Sequence, residues 1–331
     1  MKYDSLQHYR RFAAKLALFL AILLGMDFGA GYLMERLYRN QHRSLYYHSN
    51  YAFREAKADL VFFGSSRSRR HYDTMLFERE LGLSAYNAGR DGSYIPYHYA
   101  VLKSMLSRSK PKLIVLDLLC DEFVKTPAMF QRLSSLLPYY RSTPAVRPLV
   151  EMRGPFEKLK LLSRTYPYNS MMLTLVAGAW ESPDFAVRSK GYDPLHRDCV
   201  SPLTELNAYD HSADLDSVSV ALYKSFLTEA KSQGAQVVVV VSPIYRLVRP
   251  TPTMKLAQKI AAEAGVPFLD YTQETTYLRH RNYFHDVNHL NLRGSRIFSG
   301  EVVNRLRLLE KSGSGQASSD AMAFSTSVTG N

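Results

Sequence analysis

The residues best suited to chemistry are a serine pair at the end of an apolar run and, far downstream, an aspartate and a histidine three positions apart. Phe62-Phe63-Gly64-Ser65-Ser66-Arg67 closes the first run, so the serines fall on the turn from a buried strand into a helix. A hydroxyl at such a strand end becomes a nucleophile once a base removes its proton, and open α/β sheets place their sites at that edge. The plain alternative is that Ser65 or Ser66 caps the following helix. Phe284-His285-Asp286-Val287-Asn288-His289 sets a carboxylate where it can orient an imidazole, as a hydrolytic triad requires. Asp286 or Asn288 could instead cap a helix. His285 and His289 could also form an i, i+4 metal pair, although the sequence offers no clear third ligand and no H-E-x-x-H. Between the two motifs, Tyr86-Asn87-Ala88-Gly89-Arg90-Asp91-Gly92 has glycines for a tight turn that brings a backbone N–H beside the serines, as an oxyanion donor or as ordinary turn chemistry.

These segments need a scaffold, and the hydrophobic pattern supplies one. Near-continuous apolar runs at 59–63, 85–87, 112–118, 236–241 and 267–269 read as strands buried on both faces. Helical patterns over 73–81, 97–107, 217–233, 253–264 and 291–309 alternate with them, which predicts a parallel sheet covered by helices on both sides. The rhythm breaks over about 125–216, where nine prolines between Pro127 and Pro202 exclude any long element. That stretch is expected to be an insertion, either a substrate wall or a structural appendage. The Ser/Gly/Ala-rich stretch 311–331 is expected to be a disordered tail.

The chain has 331 residues, 46% hydrophobic and 22% charged, an ordinary globular mixture that excludes wholesale disorder. Its formal net charge is +12, but residues 1–70 alone carry twelve Lys/Arg against five Asp/Glu. Such local basicity suits a membrane flank, and no nucleic-acid partner is expected. Leu16 to Met34 is apolar except for glycines and Asp27, and its roughly 19 residues are long enough to cross a bilayer. Lys2, Arg10, Arg11 and Lys15 precede it, and no clean small-x-small cleavage site follows. The expectation is an uncleaved single-pass signal anchor in the cytoplasmic (inner) membrane, with 1–11 in the cytoplasm, 12–34 in the membrane, 35–57 a stalk, and the body from 58 to 310 on the periplasmic side. Asp27 would be hydrated near the outer interface or would pair with a partner helix in the membrane. Two cysteines, Cys120 and Cys199, are too few for a thiolate metal site but leave one disulfide open. The G-x-S-x-G elbow of α/β hydrolases and a Walker A loop are both absent, and no metal or cofactor is expected.

The serine block, the glycine block and the Asp-x-x-His block, in that order over about residues 58–310, resemble the SGNH (GDSL-like) hydrolase superfamily. The Gly64-Ser65-Ser66 form is similar to its membrane-anchored bacterial members acting on surface polymers. The resemblance implies a three-layer α/β/α, flavodoxin-like five-stranded sheet with a helical insertion. It also implies Ser66 as nucleophile, His289 as general base, Asp286 as orienting acid, and backbone N–H groups of Ser66 and Gly92 in an oxyanion hole, Gly92 lying five residues after Asn87. Where the family has an oxyanion-hole Asn, this chain has Asp121, whose ionised carboxylate would repel the developing charge. The implied activity is a serine esterase or O-acyltransferase on acyl esters of cell-surface or exported carbohydrate. The competing reading is a non-catalytic scaffold of the same fold that binds a glycan or partner protein. Arg67 and Arg90, with Arg69 and Arg70, crowd the two loops, either to attract an anionic glycan or phosphate group or as a solvated basic face.

Overall fold

The computed structural model describes residues 2–178, 188–206 and 215–313. Five strands, β1 (Leu60–Gly64), β2 (Ala85–Asn87), β3 (Leu113–Asp117), β4 (Gln236–Val241) and β5 (Phe268–Asp270), pair in the order β2-β1-β3-β4-β5, every pair parallel. The helices that frame the sheet and the site are α1 (Lys2–Arg39), α2 (Ser44–Arg54), α3 (Ser66–His71), α4 (Thr74–Leu81), α5 (Ile95–Leu106), α6 (Ser217–Ser232), α7 (Pro252–Glu263) and α8 (Leu292–Gly313). This is the doubly wound, flavodoxin-like order, whose direction reverses at β1 and opens a crevice beyond the carboxyl ends of β1 and β3.

The strands read as unbroken apolar runs because successive side chains enter different cores. Val61 and Phe63 pack with Val101 and Met105 of α5 and Phe226 of α6, while Leu60 and Phe62 pack with Phe77 of α4 and Phe298 of α8. β4 divides likewise, Val237, Val239 and Val241 to the first core and Val238 and Val240 to the second. Each fully buried side chain of this kind contributes about 1.5–3 kcal/mol. Side-chain caps fix where helices begin. Asp73 accepts from Met75 and Leu76 N–H ahead of α4, Asp216 from Ser219 N–H ahead of α6, and Thr251 from Met254 N–H ahead of α7.

The N-terminal region departs from expectation. Residues 35–57 are not a stalk: α1 runs on to Arg39, and Met34, Tyr38, Ala52, Phe53 and Ala56 are buried in the first core. Phe53 stacks on Tyr139 with ring centroids 4.0 Å apart, and the Tyr38 and Tyr139 hydroxyls lie 3.0 Å apart. The physical reason is a helical stripe at Ser49, Ala52, Phe53 and Ala56, which lies against α5 despite the polar residues around it. α1 is long and apolar enough to cross a membrane.

Asp27 is neither free at an interface nor turned to another helix. It accepts hydrogen bonds from Ser163 Oγ (2.7 Å), Arg164 N (2.7 Å), Thr165 N (3.2 Å) and Thr165 Oγ1 (2.6 Å). Those donors belong to the insertion, whose described part is built mainly of short helices, among them the 3-10 helices Leu133–Tyr139 and Tyr166–Met171 that pack on α5 and α1. Helix α8 continues to Gly313, so the expected tail does not begin at 311, and its remainder from 314 lies outside the described residues. Cys120 and Cys199 are both buried free thiols, which closes the disulfide question.

Candidate active site

β1 ends at Gly64 with φ +144°, a conformation that only glycine adopts readily, and a Cβ there would stand 2.6 Å from the Asp117 carbonyl. The chain can therefore turn sharply out of the sheet, putting Ser65 at the N-cap of α3 and Ser66 at its first position. The capping alternative fails on geometry, because the Ser65 hydroxyl makes no capping bond and the Ser66 hydroxyl points elsewhere. Ser66 Oγ lies 2.8 Å from His289 Nε2. His289 Nδ1 in turn lies 2.9 Å from Asp286 Oδ2 and 3.0 Å from Oδ1.

Asp286 also accepts from Asn288 N (2.8 Å) and His289 N (3.0 Å), which fixes the carboxylate against the turn that carries the imidazole. Burial pushes its carboxyl pKa up, but the His289 ring and these two amides outweigh burial, and the net pKa is below the usual carboxylate value. Both His289 nitrogens are thus engaged, one on the hydroxyl and one on the carboxylate, so the metal pairing with His285 has no nitrogen left on this ring. A base 2.8 Å from a hydroxyl with an acid behind it is the arrangement that activates a serine.

The glycine loop is stitched to the serine turn. Ala88 and Arg90 N–H donate to the Phe62 and Gly64 carbonyls, continuing the ladder past the end of β2, and Asn87 Nδ2 donates to the Ser68 carbonyl at 2.8 Å. Gly92 has φ +67°, and its carbonyl accepts from Arg132 Nη1 at 2.8 Å. Asp121, on the turn after β3, is exposed and lines the same cavity as Ser66 and His289. That cavity has a volume of about 390 Å³, with an aliphatic wall from Leu119, Val124, Leu206, Leu215 and Ile244.

The arginines do not serve as expected. Arg67 lines the cavity, but its guanidinium is buried, donating to the Leu118 and Ser242 carbonyls beside Asp117. Arg90 turns away to the Leu45 carbonyl (3.1 Å) and Ser49 Oγ (2.6 Å), fastening α2. Arg69 and Arg70 are paired with Asp193 and Asp91. Charge is legible in a sequence, whereas burial and pairing are not, so the basic crowding is structural and offers no ready anion cradle.

Three supporting residues escaped the sequence reading. His71, wholly buried, accepts from Leu290 N at Nε2 (2.9 Å) and meets Ser242 Oγ at Nδ1 (3.0 Å). Burial, reinforced by His289, Arg67 and Arg70, holds its pKa well below the usual imidazole value, so it is neutral. Glu122 accepts from Ile95 N (2.5 Å) and Leu119 N (3.2 Å), tying the β3 turn to the start of α5, and burial pushes its carboxyl pKa up to about 8. Arg132 lines the cavity beside Tyr94. Only the position of His71, one helical turn and a half beyond Ser66, was a visible signal.

The chain is thus a doubly wound α/β protein with a Ser–His–Asp array at the carboxyl edge of its sheet. No protein family matches it, and no curated protein matches it. Among solved structures it is similar to a "putative GDSL-like lipase" from Parabacteroides merdae, at 11% identity and TM-score 0.39, covering 77% of this chain and 98% of that one. It is also similar to a "putative acylhydrolase" from Bacteroides fragilis, at 13% identity and TM-score 0.38, covering 80% of this chain and 97% of that one.

Proposed function

We propose that the chain is a membrane-anchored, extracytoplasmic serine esterase or O-acyltransferase that acts on acyl esters, chiefly acetyl, of cell-surface or exported carbohydrate. The observation that carries this reading is the unbroken line from Ser66 Oγ through His289 to Asp286. Ser66 Oγ attacks the ester carbonyl as its proton passes to His289 Nε2, and Asp286 stabilises the imidazolium that forms. The tetrahedral oxyanion is held by the backbone N–H groups of Ser66 and Gly92. Collapse of that intermediate breaks the bond to the alcohol oxygen, which takes the proton from His289. Water or a sugar hydroxyl then repeats the sequence on the acyl-serine.

The aliphatic wall suits the acyl group, and the sugar is left to the open, polar side near Asp121. The anchor half of the reading rests on α1 and on the basic residues that precede its apolar stretch. The test is fluorophosphonate labelling of the full-length protein in nanodiscs, with the adduct located by mass spectrometry. The expected result is one adduct, on Ser66, lost in His289→Ala. Folded protein that takes no label would favour the scaffold alternative and overturn the enzymatic one.

A further inference from the structure

The insertion presents an apolar surface where a water-facing surface would be polar. Phe156, Leu159 and Leu162 are 65%, 64% and 74% exposed on one short stretch. The charges between and around them are paired: Lys158 with Glu151 at 3.1 Å, Lys160 with Glu157 at 2.9 Å, and Arg153 with the same Glu157 at 2.8 Å. Arg164 lies over the Phe28 ring at 4.3 Å and 4.0 Å from Glu35, so its charge is directed along α1 toward the body.

The height of this surface follows from the helix it grips. One face of α1, Asp27, Gly31, Met34 and Tyr38, docks on the body, and a Cβ on Gly31 would stand 2.6 Å from the Arg164 backbone. A bilayer needs about 20 residues of helix, so an anchor starting after Lys15 reaches the far side near Leu33 or Met34. Asp27 lies six residues, about 9 Å, inside that end. Its partners Ser163, Arg164 and Thr165 are at the same depth, with Leu162 adjoining them. Irregular backbone is tolerated at membrane depth only where its polar groups are satisfied by protein, and Asp27 accepts from two backbone N–H groups of this turn, Arg164 and Thr165, and from its Ser163 and Thr165 hydroxyls.

We infer that Phe156, Leu159 and Leu162 form a second membrane contact, immersed among the acyl chains of the leaflet on the body's side, so that the body is held to the bilayer by the anchor and by this knob together. The inference rests on the anchor half of the proposed function and is independent of the serine chemistry. Its test is the full-length chain in phosphatidylethanolamine–phosphatidylglycerol nanodiscs, carrying one bimane-labelled cysteine at a time in place of Phe156, Leu162, Leu20 or Val200. Leu20 reports the anchor, and Val200, 87% exposed, reports the body. The expected result is that labels at Phe156 and Leu162 are quenched by doxyl-labelled lipid as strongly as that at Leu20, and several-fold less by aqueous iodide than that at Val200. Labels at Phe156 and Leu162 that behave like Val200 while Leu20 stays lipid-quenched would overturn the knob and leave the anchor standing. Iodide quenching at Leu20 as well would overturn both.

Discussion

His71 receives the backbone N–H of Leu290, the residue next to His289, at 2.9 Å, and His71 rides on the same six-residue helix as Ser66. The two ends of the Ser66–His289 hydrogen bond therefore share one support, and their spacing is set by a buried neutral imidazole five residues from the serine.

Replacing that imidazole by a ring of similar size leaves the Leu290 N–H unpaired and loosens the turn that carries His289. His71→Phe is expected to lower kcat about 10²-fold with KM nearly unchanged, the signature of misplaced reacting groups. Steady-state kinetics on an acyl ester check it, and an equal change in KM would mean that His71 shapes the substrate pocket instead.

Asp286→Asn keeps the turn's shape but offers an amide where His289 Nδ1 needs an acceptor. The expected loss in kcat is roughly 10³- to 10⁴-fold, with the melting temperature within a few degrees of the parent.

Asp121 brings a carboxylate into the cavity where a donor would serve a developing oxyanion better. Asp121→Asn is expected to raise kcat on a neutral acyl ester by about tenfold, as a repulsion becomes a hydrogen bond. An unchanged rate would mean that the carboxylate faces the leaving alcohol.

Glu122 has a folded-state pKa of about 8, above the value of about 4.3 of an unfolded glutamate. The folded state thus holds a proton that the unfolded chain has released. The contribution of this group to stability is full below about pH 4.3 and is lost as pH rises through about 8. The melting temperature of the parent is expected to fall relative to that of Glu122→Gln between about pH 5 and about pH 9. Parallel curves would show that Glu122 is ionised throughout.

What the sequence disclosed follows from where each signal resides. The strands were legible because a run such as Val237–Val241, buried on both faces, has no polar residue to blur it. Ser66, Asp286 and His289 were legible because each follows a strand or precedes a helix, and their meeting within 3 Å depends only on the parallel order. Residues 35–57 misled because tyrosines and arginines carry both an apolar body and a polar tip, and only the stripe at 49, 52, 53 and 56 betrays the docked face. Arg67, Arg90 and Glu122 misled or went unnoticed because their roles are defined by backbone groups distant in the chain, which no local pattern records.

The docking of α1 also bears on how the molecule is made. Helix α1 supplies Met34 and Tyr38 to a core whose other side, Tyr139, Tyr168 and Leu175, is synthesised more than a hundred residues later. That part of the core therefore stays open until residues near 175 have been made. A chain cut between α1 and α2 would be left with a gap in its interior, and cellular proteolysis would act on it faster than on the intact chain.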